Sequence, residues 1–202
     1  MRAITNRELP IIRDLLTRLN GVPNISLAYA SAKTIVKINN ELRDLDLIQK
    51  PDEDFNAFNL VLEDVKKKWA RKRLNGQPAT KIDRVGNQSV EVYDIPAEDM
   101  KSYQDEAESL EFEYNVIIDK QKVKELNFRN IQDEPSKTEF HRVDLKDVKP
   151  LLEKNEAGIC KMTGGQFTAM AFLLKSPKIK MDMVPSDISQ ADMMALVEYF
   201  DL

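Results

Sequence analysis

The stretch Ile25-Ser-Leu-Ala-Tyr-Ala-Ser-Ala-Lys-Thr-Ile-Val-Lys-Ile-Asn-Asn-Glu-Leu-Arg-Asp-Leu45 sets the architecture. Ala28, Ser31, Ile35, Ile38, Leu42 and Leu45 recur at alternating steps of three and four, the spacing of a heptad seam. Such a stripe needs a partner helix, and the preceding segment offers one. Leu9, Ile12, Leu15, Leu16 and Leu19 follow a Thr5/Glu8 capping-box spacing, and Gly21 and Pro23 end that segment. Because only Asn20 to Asn24 separate the two, residues 4–48 are expected to form an antiparallel helical hairpin.

Toward the carboxyl end, Pro51 and the acidic run Asp52 to Asp54 open a third helix carrying Phe58, Val61, Leu62, Val65 and Trp69, expected to close near Asn75-Gly76. The period then changes. Ile82 and Val85, with Val90, Val92 and Ile95, flank Gly86-Asn87 as a short β-hairpin. Pro96 starts an acidic helix to about Glu111 with Met100, Tyr103, Ala107 and Leu110 on one face. Phe112, Tyr114, Val116 and Ile118 alternate as a strand, and the polar interval Asn127 to Lys137 reads as a linker. Beyond it come a strand at Thr138 to Val143, a helix from Leu145 to Lys154, a nearly all-apolar helix from Gln166 to Lys175, a strand through Ile179, Met181 and Met183, and a last amphipathic helix capped by Ser186 or Asp187. The expected class is α+β: an N-terminal helical hairpin and three-helix body, a small mixed or antiparallel sheet, and C-terminal helices. The expected parts are 1–76, 77–130 and 138–202.

Composition narrows the function. The 202 residues are 42% hydrophobic and 32% charged, with 30 basic and 34 acidic side chains and a formal charge of -4, so the whole molecule is no polyanion binder by bulk electrostatics. Charge is unevenly placed: residues 1–80 are net positive and residues 81–202 net negative. One cysteine, Cys160, cannot form an internal disulfide, and one histidine, His141, cannot supply a multi-histidine metal site. No local sequence marks a cysteine–histidine dyad, so no catalytic residue, metal or cofactor is expected. The N-terminus enters a charged amphipathic pattern without an apolar signal region, and no apolar run reaches the length of a membrane span.

The strongest local motif is Lys66, Lys67, Lys68, Trp69, Arg71, Lys72 and Arg73. Cations neutralise phosphates and an indole can stack on an unpaired base, which points to nucleic acid or an acidic partner. The alternative is a solvated helix end: cations favour that terminus, and Trp69 continues the apolar stripe from Val65. Gly164-Gly165 before an apolar helix could offer amides to a phosphate, but lacks the further glycines and lysine of known phosphate loops, and fits a tight turn into the core better. Candidate subunit contacts are Ile35, Ile38, Leu42 and Leu45 of the seam, and Met193 and Met194 in the methionine-rich tail.

The order of elements also carries a resemblance. Glu8-Leu-Pro-Ile-Ile-Arg-Asp-Leu-Leu-Thr-Arg-Leu19 is followed by the small-residue-rich segment from Leu27 to Leu42. A charged helix and Asp99 to Leu110 then lead into Glu111-Phe-Glu-Tyr-Asn-Val-Ile-Ile-Asp119, and the chain closes on Ile188-Ser-Gln-Ala-Asp-Met-Met-Ala-Leu-Val-Glu-Tyr-Phe200. This resembles the small uncharacterised proteins of tailed bacteriophages that pair a helical hairpin with a strand-containing tail and a final Ser/Thr-x-x-x-hydrophobic-x-x-Leu helix. The chain departs from them by a longer C-terminal portion that includes Gly164 to Met183. The resemblance implies a phage gene product from the structural or assembly region, with no catalytic residue to carry over. The heptad stripe, the uneven charge and the missing catalytic set then lead to the expectation of a non-enzymatic virion component or assembly factor, a homo-oligomer of ring or collar type near the head–tail connection. Other virion proteins would be its partners, and it would reside in the host cytoplasm during assembly and then in the virion. Two alternatives are a nucleic-acid-binding accessory protein using Lys66 to Arg73, and an anti-defence protein that sequesters a small signalling nucleotide.

Overall fold

A computed structural model describes residues 3–86, 88–153, 161–175 and 183–199. Cys160, Asn87, Phe200 and all of the expected 179–183 strand except Met183 lie outside the described residues. The fold is α+β. A 3-10 turn at Asn6–Glu8 leads into α1 (Leu9–Thr17), α2 (Ile25–Gln49) and α3 (Glu53–Trp69). Then come β1 (Thr80–Val85), β2 (Gln88–Tyr93), α4 (Met100–Glu113), α5 (Asn115–Asp133), α6 (Leu145–Leu152), α7 (Gly164–Ala171) and α8 (Gln190–Tyr199).

The chain divides into two compact units, Met1–Ile48 with Phe128–Leu202, and Gln49–Asn127. The second is thus an insertion between the two parts of the first. This differs from the expected succession 1–76, 77–130 and 138–202. Of the polar interval expected as a linker, Asn127 to Asp133 is the end of α5, and only 134–137 leave the helix.

In the first unit the Thr5/Glu8 capping box forms, with the Glu8 carboxylate accepting the Thr5 N–H at 2.8 Å. Leu9, Ile12 and Leu16 of α1 are buried with Leu27 and Ile38 of α2, Phe167 and Met170 of α7, Phe172 to Leu174, and Leu196 of α8. The expected α1–α2 hairpin is looser than its sequence suggests: α1 packs most closely on α7, which in turn packs on α8. The buried line of α2 is Leu27, Ala30, Ser31, Thr34, Ile38 and Leu45, and Ala28 faces solvent. Two polar residues belong to that line because each meets a backbone partner. The Ser31 hydroxyl donates to the Leu16 carbonyl at 3.1 Å, and the Thr34 hydroxyl accepts the His141 N–H at 3.0 Å. The stripe is therefore covered partly by α1 and partly by the extended segment around 136–143. Of the strand expected at Thr138 to Val143, one parallel bridge from Val143 to Leu174 is present. That bridge lies just beyond α7, which ends at Ala171 and not at Lys175.

Gly164 shows why α7 starts with a glycine pair. A Cβ there would lie 2.4 Å from the Ile188 Cα, so only glycine lets these backbones approach. Its N–H donates to Asp187 Oδ2 at 3.4 Å. Asp187 is thus committed to α7, and the cap of α8 is Ser189, whose hydroxyl accepts the Asp192 N–H at 3.1 Å.

In the second unit β1 and β2 pair antiparallel from Thr80↔Tyr93 to Val85↔Gln88, as the hairpin reading expects. The expected strand at Phe112 to Ile118 is helical instead: α4 ends at Glu113, Tyr114 makes a one-residue break, and α5 begins. Half-buried Tyr114, Ile117 and Ile118 with buried Gln121 define its inner face, while Phe112 and Val116 are 79% and 76% exposed. The core here is small, chiefly Phe58, Val65 and Ala70, with Phe55 and Tyr114 stacked obliquely on the Phe58 ring at 5.8 and 5.4 Å between centroids.

Candidate functional site

The basic motif divides where α3 stops. Ala70 is extended and buried, so the helix closes at Trp69, short of the expected Gly76. Lys66, Lys67 and Lys68 occupy the last turn, where the negative end of the helix dipole favours cations. Each has a carboxylate beside it: Lys66 reaches Glu63 at 2.7 Å, Lys67 Asp64 at 3.0 Å, and Lys68 Glu106 at 2.7 Å. The Lys66 ammonium holds the Glu63 carboxyl below its usual range, and the Asp64 carboxylate raises Lys67. The Trp69 indole donates to the same Glu106 oxygen at 2.6 Å, and the Lys68 ammonium lies 5.1 Å from the ring centroid. Trp69 is therefore a half-buried brace between α3 and α4, not a free stacking platform.

Past the helix, Arg71 faces Asp94 at 3.6 Å. Arg71 and Ala79 are joined by a backbone hydrogen bond, as are Arg73 and Gln77, and Lys72 bridges Pro78. The chain thus makes a small second hairpin whose apex is Leu74-Asn75-Gly76, with Gly76 at φ +78, a conformation that glycine adopts without strain. The Lys72 ammonium donates to the Lys67 carbonyl at 2.8 Å and the Arg73 guanidinium to the Thr80 hydroxyl at 3.0 Å. Among the described residues, these two cations of the motif meet no carboxylate. Leu74, the first residue of the apex, is fully exposed. The structure brings Lys66 to Trp69 together on one helical turn and sets Lys72 and Arg73 apart on the projecting turn.

The first unit holds a groove of about 480 Å³ along the second half of α2. Leu45, Ile48 and Ile131 supply its apolar floor, and four carboxylates against two lysines line it. One of them, Glu41, is committed inward. It accepts the Lys137 N–H and the Ser136 hydroxyl, each at 3.0 Å, and also the Thr138 hydroxyl, fastening the strap that follows α5. Glu139 lies 3.5 Å from Lys37. Asp44 and Glu134 pair with no cation among the described residues. Asn6, 8% exposed, donates through its amide to the Ile131 carbonyl at 2.8 Å, and its Oδ1 receives no hydrogen bond among the described residues.

The proposed subunit contacts fare differently. Ile38 is fully buried, and Ile35, Leu42 and Met193 pack against the same core, so these four serve the folded chain itself, while Leu45, 8% exposed, lies at the floor of the groove. Met194 is 65% exposed and remains available. The amide of Gly164, the phosphate-cradle candidate, already faces the Asp187 carboxylate. His141 is placed edge-on to the Tyr29 ring at 6.1 Å. Its neighbour Arg142 is held below its usual pKa by burial and donates to the Phe172 carbonyl at 2.5 Å. No group of three His, Cys, Asp or Glu side chains able to hold a metal ion occurs among the described residues, and no helix there is long and apolar enough to cross a membrane.

Sequence reasoning missed Glu41, Glu106 and Asp94. No motif marks them. Glu106 belongs to the acidic helix expected after Pro96, off its apolar face, and only the α3–α4 packing reveals that it faces Lys68 and Trp69. Comparison with family models, with curated proteins and with solved structures finds no match to this chain.

Proposed function

We propose that this protein is a non-enzymatic, self-associating component or assembly factor of a tailed-phage particle, acting in several copies near the head–tail connection. The single observation that carries the self-association is the sparse second unit, whose few buried side chains leave Leu60, Leu74, Ile82, Phe112 and Val116 exposed. Units with so small a core gain stability by association, and exposed apolar side chains are what such contacts cover. The uneven charge along the chain supports copies meeting through unlike surfaces, as ring-forming contacts require. The element order supplies the phage context.

The pairing of Lys66, Lys67, Lys68 and Arg71 with carboxylates argues against a phosphate-binding role for the motif, because a polyanion would have to displace four internal partners. Quantitative mass spectrometry of purified particles of the encoding phage tests the reading. Stoichiometric recovery with the particles, or with an assembly intermediate, is the expected result. Absence from both would contradict it.

A further inference from the structure

We propose that the Lys72-Arg73-Leu74 turn of one copy seats in the acidic, apolar-floored groove beside α2 of a second copy, joining copies head to tail. This rests on the self-association reading and adds to it the two surfaces that meet.

The turn and the groove are complementary in two respects. First, Lys72 and Arg73, which meet no carboxylate among the described residues, sit next to a fully exposed leucine. Burying an apolar side chain removes it from water at a gain, so Leu74 on a projecting apex favours docking. Second, the groove offers the converse pair, since Asp44 and Glu134 lack a cation among the described residues and flank the floor of Leu45, Ile48 and Ile131. A groove of about 480 Å³ has room for the three-residue apex. The turn is braced by the bridge from Lys72 to Pro78, so little ordering is needed on docking.

The two surfaces differ, so the contact is heterologous: each copy offers one turn and one groove, and repetition closes a ring or extends a filament. The alternating fit of cations with carboxylates sets the register between copies, and the leucine contributes burial at the centre.

The test uses the full chain with Cys160→Ser as background. A Leu74→Cys chain is mixed with an Ile48→Cys chain and oxidised. The expected product is a disulfide between the two different chains. If the protein associates yet forms no such cross-link, the proposed contact is overturned while the self-association reading stands. A chain carrying both cysteines that links only within itself, as a monomer, also overturns it. If the unmodified chain is monomeric at every concentration, both ideas fall. A charge swap gives the second measurement. Lys72→Glu with Arg73→Glu should weaken association by roughly tenfold, as should Asp44→Lys with Glu134→Lys, and all four together should restore it. All four positions are on the surface, and unchanged circular dichroism confirms the fold. A quadruple variant as weak as either double variant contradicts the pairing.

Discussion

The Trp69 indole N–H and the Lys68 ammonium converge on one carboxylate, that of Glu106, at 2.6 and 2.7 Å. This joins the last turn of α3 to the middle of α4 and fixes the only tryptophan of the chain. Replacement of Glu106 by Gln keeps the shape and removes the charge. The expected result is a red-shifted, more quenchable Trp69 emission with unchanged helical content. An identical emission spectrum would show that the brace does not hold the indole.

Acid should loosen the Asp52 and Glu106 contacts of the second unit. Lys124 and Lys120 hydrogen-bond to Asp52, and Lys68 and Trp69 to Glu106, which lowers both carboxyls from ordinary values of 3.8 and 4.5. A group whose pKa is lower in the folded chain adds stability that is complete above its unfolded value and disappears as pH falls through the folded one. Trp69 emission followed below pH 4.5 should therefore report a transition that the Glu106→Gln chain lacks. A transition with the same midpoint in both chains would assign the loosening to other groups.

The helix-rich class, the β1–β2 hairpin and the Thr5/Glu8 cap were legible in the sequence because each rests on local chemistry. The strand expected at Phe112 to Ile118 shows the limit. Alternation from Phe112 to Ile118 satisfies a two-residue period, but Tyr114, Ile117, Ile118 and Gln121 also satisfy the helical one, and helix formers on both sides propagate through the ambiguous stretch. Thr34 was invisible as a core position because only its distant partner, the His141 N–H, makes its burial tolerable. The candidate site was half legible. The basic motif stands out in sequence, but its division into paired lysines and a free turn depends on Glu106 and Asp94, far along the chain.

Gly164 is a second test of local geometry against packing. Gly164→Ala would push a methyl against the Ile188 backbone, and overpacking of this kind costs about 1–3 kcal/mol. A lowered melting temperature with unaltered secondary structure is expected. An unchanged melting temperature would mean that the α7–α8 approach is looser than described.

Ile38 and Met194 separate core from surface. Ile38→Ala should destabilise the fold by about 2–5 kcal/mol through the cavity it leaves. Met194→Ser, at an exposed position, should change stability by less than about 0.5 kcal/mol. Denaturant unfolding measures both, and equal effects would contradict the assignment of the seam to the interior.

The most direct measurement is the mass of the native chain by light scattering across a concentration series at low and high salt. The account predicts a mass that climbs from one copy to several as concentration rises, with the rise weakened by salt because screening acts on the exposed charge pairs. A single-copy mass throughout, at every concentration and ionic strength, would contradict it.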